Sequence, residues 1–146
     1  MAFDVYSSEV SSVPNSIVRR DANGNIYANN INAGGAILVL DDTTLSTTAT
    51  ASATVKSFRY YNDGNISNIQ VFVSAWNASS GATTTIGVNV DNLTPSSTTT
   101  TSTTEQFFTL TLTPPSTKGV HTLNVTLATS NASYSAYTKF LQVEVS

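Results

Sequence analysis

The C-terminal third of this chain alternates between apolar and polar residues with a period of two. In residues 105–113, Phe108, Leu110 and Leu112 share one side, and Phe107, Thr109, Thr111 and Thr113 share the other. In 120–128, Leu123, Val125 and Leu127 oppose Thr122, Asn124 and Thr126; in 138–146, Leu141, Val143 and Val145 oppose Phe140, Gln142 and Glu144. Successive side chains of an extended strand point to opposite faces, so this spacing commits each run to one buried and one wet side. Threonine suits the wet side, because it is β-branched and favours extended backbone while its hydroxyl is content in water. No segment repeats its apolar residues at i, i+3, i+4 and i+7, the spacing an amphipathic helix needs.

Four earlier runs, 36–40, 54–61, 68–76 and 83–90, read the same way. Together they make about seven strands in about 110 residues, which predicts an all-β, immunoglobulin-like or related β-sandwich. Tyr61-Asn62-Asp63-Gly64-Asn65 separates two of the runs, and Asp-Gly tolerates the positive φ of a tight hairpin turn. Residues 94–104 are almost wholly Ser and Thr, with no large apolar side chain to bury, and predict a long exposed loop.

Composition narrows the function. Charged residues are only 10% of the 146, and Ser, Thr and Asn supply the missing polarity. Six Lys and Arg against nine Asp and Glu leave a net charge of −3, so binding DNA or RNA by neutralising phosphates is not expected. The absence of cysteine excludes disulfides, thiolate zinc sites and cysteine nucleophiles. The start, Met1-Ala2-Phe3-Asp4-Val5-Tyr6, has neither the basic nor the apolar region of a secretory signal, and no stretch has the length of a membrane helix. Synthesis in a cytoplasm without membrane insertion is the expectation. Five Asn-x-Ser/Thr triplets, at Asn65, Asn77, Asn92, Asn124 and Asn131, follow from the abundance of these residues rather than from glycosylation.

Residues 1–35 differ from 36–146 and predict a separate N-terminal arm. If Asn23-Gly24 closes a hairpin, Val18, Arg20, Ala22, Asn25 and Tyr27 fall on one face and Ile17, Arg19, Asp21, Ile26 and Ala28 on the other. Neither face is apolar enough for a core, and an isolated two-stranded hairpin is marginal in water. Such an arm must drape over its own domain or pair with another chain.

Val13-Pro14-Asn15-Ser16-Ile17-Val18-Arg19-Arg20-Asp21-Ala22-Asn23-Gly24-Asn25-Ile26-Tyr27-Ala28 resembles a short element of tailed-bacteriophage virion proteins, with Ser16 in place of Thr and Ile26 in place of Phe. The resemblance implies a structural protein of the particle, commonly trimeric. Residues 107–145, containing Pro114-Pro115-Ser116-Thr117-Lys118-Gly119-Val120-His121-Thr122-Leu123-Asn124-Val125, resemble the last strands of bacterial and phage immunoglobulin-like domains.

Candidate chemistry is sparse. His121 is the single histidine; it opens a regular strand and no Gly-x-Ser-x-Gly elbow occurs, which predicts a structural role. Asp21-x-Asn23-x-Asn25 imitates the start of a calcium loop, but Ile26 stands where glycine is required, so turn formation explains the spacing. Asp41-Asp42 reads as a solvated strand end; a small hydrolase built on Asp41, Asp42 or Asp63 is the enzymatic alternative. Trp76 with Tyr60, Tyr61 and Phe72 predicts packing against a core or a neighbouring subunit, the alternative being a sugar-stacking platform. Arg19-Arg20 is either a solvated pair or a clamp on an acidic neighbour.

The resemblance and the arm together point to a non-enzymatic capsid decoration (cement) protein on the outer surface of the head. It would need no cofactor or metal and would bind the major capsid protein or other virion subunits as a homotrimer. Its assembly residues would be Pro14, Ile17, Val18, Arg19, Arg20, Asp21, Ile26 and Tyr27. The alternative is a tail-fibre or adhesin module binding host glycans through Trp76, Tyr60 and Tyr61.

Overall fold

The computed structural model describes residues 36–146, which form ten β-strands and no helix. They are β1 (Ala36–Asp41), β2 (Leu45–Thr47), β3 (Ala53–Asn62), β4 (Ile69–Asn77), β5 (Thr84–Val90), β6 (Ser96–Thr100), β7 (Gln106–Leu112), β8 (Gly119–Thr129), β9 (Ala136–Thr138) and β10 (Leu141–Val145). Every pairing is antiparallel.

One sheet is centred on β4, with β7 along one edge and β10 then β9 along the other. β1 lies outside β10, and β2 outside β9. The break between β9 and β10 is a bulge: Val73 pairs with Leu141 and Trp76 with Tyr137, so Ser74 and Ala75 face three residues rather than two. The Ser74 hydroxyl accepts the backbone N–H groups of Lys139 and Phe140 at 3.2 and 2.8 Å, satisfying donors the ladder has released. β1 and β2 therefore occupy one strand position, as do β9 and β10. The second sheet has the order β3-β8-β5-β6.

The first strand position thus pairs with the last, the second with the second-last, and so inward to the β5–β6 hairpin. This nested pairing over two four-position sheets is the order of a jelly roll. An immunoglobulin domain would pair its first two strands within one sheet. Here β1 and β3 lie in different sheets, so the β-sandwich has the expected class but another winding.

Three local expectations change. Asp63-Gly64 does turn the chain, with Gly64 at φ +89° and Asn62 Oδ1 accepting its N–H at 2.8 Å. It carries the chain from one sheet to the other rather than closing a hairpin, since β3 and β4 do not pair. Part of the expected 94–104 loop is β6, in register from Ser96 opposite Val88 to Thr100 opposite Thr84. An edge strand of Ser and Thr needs no apolar side chain when its neighbour offers a row of backbone partners. The last expected strand is two pieces, β9 and β10, because of the bulge.

The core lies between the sheets. Ile69, Val71, Val73, Leu110, Leu112, Leu141 and Val143 from the first meet Ile86, Val88, Val90, Leu123, Val125 and Leu127 from the second, all buried. Each contributes on the order of 2 kcal/mol by leaving water.

One charge is buried with them. Lys56 of β3 is 4% exposed. Its ammonium donates to Asp41 Oδ2 at 3.0 Å, to the Thr43 carbonyl at 2.8 Å and to the Lys139 carbonyl at 2.6 Å. Asp41 is thus not the solvated strand end expected from Asp41-Asp42. Burial pushes its carboxyl up, but hydrogen bonds from Lys56 and Thr43 outweigh that and hold it below the usual carboxylate range. Asp42 is well exposed, 3.7 Å from Lys139 Nζ. Asp41→Ala is expected to strand the ammonium without a counter-charge and to cost about 3 kcal/mol in urea unfolding. Asp42→Ala should cost less than about 1 kcal/mol, because an exposed pair is worth little.

Candidate interaction surface

The two outer faces of the sandwich are chemically unlike. On the β3-β8-β5-β6 sheet, cross-strand partners place Ser57 beside Asn124, Arg59 beside Thr122, Thr126 beside Gly87 and Thr85 beside Thr99. That face is mostly hydroxyls and amides, with Arg59 among them and the exposed Tyr61 opposite Val120 at one end. Asn124 is buried within it, donating to Asn89 Oδ1 at 3.3 Å and Asn92 Oδ1 at 3.2 Å while accepting from Ser57 at 2.8 Å. Asn77, wholly buried, donates to the Thr84 and Thr129 hydroxyls at 2.9 and 3.2 Å. Both side-chain amides serve the fold, so these two triplets offer no glycan site on the folded surface.

The outer face of the β4 sheet is aromatic and aliphatic. The alternation that buries Val71, Val73 and Ala75 turns Phe72 and Trp76 outward. Phe72 pairs with Thr109 of β7 on one side and Gln142 of β10 on the other. Phe107, 67% exposed, meets Phe140 edge-on with ring centroids 5.9 Å apart. Trp76 stacks on Tyr137 at 5.2 Å with 9° between the ring planes. A depression of about 420 Å³ opens on this face, lined by Phe72, Phe107, Phe108, Thr109, Phe140, Gln142 and Glu144. On the edge strand, Leu40 pairs with Gln142 and Ile37 with Glu144, which carries the apolar surface to β1; Leu40 is 64% exposed.

Trp76 and Phe72 are therefore brought together with residues the sequence did not single out: Phe107, Phe140, Tyr137, Leu40 and Ile37. Their outward parity was visible in the alternation, but the strand neighbours that gather them were not. Tyr60 and Tyr61 are not part of this face. Tyr61 is exposed on the outer side of the other sheet, and Tyr60 packs against the core with its ring 5.9 Å from the His121 ring. Burial, with the Asp91 carboxylate nearby, raises the Tyr60 phenol. Of the expected platform, Phe72 shares the face of Trp76, while Tyr60 points into the core and Tyr61 lies on the outer side of the other sheet.

His121, on β8, is buried beside the β5–β6 turn. Asp91 and Asn92 take positive φ there (53° and 58°), and the Leu93 N–H closes the turn on the Val90 carbonyl at 2.9 Å. His121 Nδ1 donates to Asp91 Oδ2 at 2.6 Å and Nε2 to the Thr117 carbonyl at 2.8 Å. Both ring nitrogens face acceptors, which favours the doubly protonated imidazolium and leaves neither to take a proton from a serine. The Asp91 hydrogen bond, then the Thr117 carbonyl, raises the His121 pKa; that same bond and the Thr122 N–H lower Asp91. Asp91 was not singled out from the sequence, since the turn carrying it is adjacent to His121 only through the β5–β8 pairing. Asp63 is spent on its own turn, accepting the Asn65 N–H at 2.8 Å. Asp41, Asp42 and Asp63 thus each have a local partner and are not gathered into one site.

Among the described residues no group of three or more His, Asp or Glu side chains could hold a metal. The arm residues Pro14, Ile17, Val18, Arg19, Arg20, Asp21, Ile26 and Tyr27, like the Asp21-x-Asn23-x-Asn25 spacing, lie outside the described residues. No protein-family model, curated protein or solved structure matches this chain.

The His121–Asp91 pair makes stability depend on pH. A histidine whose folded pKa is raised stabilises fully below its unfolded value of about 6.5 and loses that contribution as pH rises through the folded value. The thermal midpoint should therefore fall as pH rises above about 6.5, through the raised folded value. In His121→Gln that decline should be absent, as followed by circular dichroism.

Proposed function

We propose that this protein is a structural component of a tailed-phage particle, a decoration protein that binds the outside of the head and stiffens it. The observation that carries this is the resemblance of residues 13–28 to an element of phage virion proteins. The sandwich adds two supporting features. One outer face is apolar enough to serve a permanent contact. The other is mostly hydroxyls and amides, which stay hydrated, and Arg59 is one of the few charges it offers for stray binding. Jelly rolls serve viral shells among many other uses, so the fold alone is only compatible with this role.

The mechanism is passive. The N-terminal arm, centred on residues 14–32, engages neighbouring subunits or the major capsid protein while the sandwich projects outward, in a homotrimer. Several weak contacts per assembly add up through effective concentration, so no single tight site is required.

One observation favours a second function, an adhesin-type module that binds glycans: the Trp76–Tyr137 stack on an outer face. Tyr137 already covers one face of the indole, which leaves one for a sugar. Cosedimentation of the full-length protein with purified capsids of the encoding phage separates the two. Decoration predicts saturable attachment that Trp76→Ala does not abolish, with no binding on a glycan array. Absence of attachment, with glycan binding that Trp76→Ala removes, would refute it.

A further inference from the structure

We propose that the apolar outer face of the β1-β10-β4-β7 sheet is the seat for the N-terminal segment, residues 1–35, of a neighbouring copy of this chain. The proposal rests on the assembly role given to the arm above, and it names the surface the arm engages.

The face is unpartnered among the described residues. Leu40, Ile37 and Phe107 are each more than half exposed, around the half-buried Phe72, Phe140 and Trp76. The opposite outer face is mostly Ser, Thr and Asn around the exposed Arg59, with one exposed apolar pair, Tyr61 opposite Val120, at its end. A continuous apolar surface running across four strands is the larger of the two and the candidate interaction site.

Size decides between occupants. From β1 to β7 is three strand spacings, about 14 Å, and the outward residues of β4, from Gln70 to Trp76, run for about 20 Å. That is on the order of 300 Å², well under the roughly 800 Å² per partner of a stable interface between two folded surfaces. A second sandwich laid flat on this face would fall short. An extended segment of about eight residues is long enough to run the length of the face, and it leaves the rest of the arm for other contacts.

The course of the chain favours a neighbour's segment. β1 begins at Ala36, opposite Val145, at the end of the sheet where Ile69 meets Leu112. Phe107, Phe140, Trp76 and Tyr137 lie toward the other end, since Phe107 pairs with Ser74 and Tyr137 with Trp76. To cover its own aromatic end, the segment would have to reverse at the sheet edge. Thirty-five residues can extend up to about 115 Å. A domain of this size has a radius of gyration of about 13 Å, so an adjacent copy is well within reach.

Charge agrees. Glu144 is the charged residue lining the depression, and it accepts from the Gln142 amide. No cation pairs with it among the described residues. The segment contains Arg19 and Arg20 directly after Ile17 and Val18. An arginine can bind a carboxylate with two parallel hydrogen bonds while its stem lies on apolar surface.

The test uses full-length chains: wild type, the double variant Leu40→Ser with Phe107→Ser, Glu144→Gln, and Tyr61→Ser on the opposite face. Light scattering at micromolar concentration reads the mass, and trypsin cleavage after Arg19 and Arg20 reads whether the segment is covered. The wild type should be an oligomer with slow cleavage. The double variant should become monomeric and be cut at least tenfold faster, with its thermal midpoint within a few degrees of wild type. Glu144→Gln, a milder change, should be cut several-fold faster, and Tyr61→Ser should match wild type. Unchanged cleavage in both Glu144→Gln and the double variant would overturn the proposal, whatever the mass; a fall in mass with unchanged cleavage would mean that the face meets a second sandwich. A monomeric wild type whose cleavage accelerates in the variants would also overturn it, because the segment would then fold back on its own sheet. Capsid attachment of the wild type is measured separately, so attachment with a cleavage rate insensitive to this face would reject the docking and leave decoration standing.

Discussion

A single buried ammonium ties the two sheets together where the strands of one of them are interrupted. Lys56 reaches from β3 across the edge of the sandwich to the gap between β1 and β2 and to the bulge between β9 and β10. Breaks in two adjacent strands release carbonyls that the ladder no longer satisfies, and an unsatisfied buried carbonyl is costly. The three donors of Lys56 meet two of those carbonyls and the Asp41 carboxylate, while the Ser74 hydroxyl takes the two released N–H groups on the other side. The outer strands can therefore bend over the core without leaving it open.

Around that anchor the chain is wound as nested antiparallel pairs, and the winding decides which side chains become neighbours. It sets β4 between β10 and β7, so that Phe72, Phe107 and Phe140, scattered over sixty-eight residues of sequence, meet on one outer surface. It also places the β5–β6 turn against the start of β8, where Asp91 receives the His121 imidazole. The outcome is a sandwich whose one outer side is mostly hydroxyls and amides and whose other carries the larger apolar surface.

Much of the fold was legible in the sequence because the signal was local. Period-two alternation marked seven of the strands, and the residues assigned inward at Phe108, Leu110, Leu112, Leu123, Val125, Leu127, Leu141 and Val143 pack into or against the core. The omissions share a cause. β6 is pure Ser and Thr, so hydrophobic patterning says nothing about it; its strand state comes from the free edge of β5. β2 and β9 have three residues each, too few to show a period. Lys56 interrupts an apolar face and looks like an outward residue until its partners from thirteen to eighty-three positions away are in place. Of the companions sought for Trp76 nearby in sequence, Phe72 does share its face, being four positions away on the same strand, whereas Tyr60 and Tyr61 precede the cross-sheet turn at Gly64 and belong to the other sheet.

By itself the sequence determined the class: all-β, threonine-faced, two-layered, without cysteine chemistry, and with an N-terminal segment unlike the rest. Those properties depend on residue type and on spacing over a few positions, which any extended chain expresses. Only the tertiary structure decided the nested winding, the Lys56 anchor, the His121–Asp91 pair and the separation of Trp76 from Tyr60 and Tyr61. These depend on which strands become neighbours, and that is settled by the summed packing of both sheets, to which no single segment holds the key.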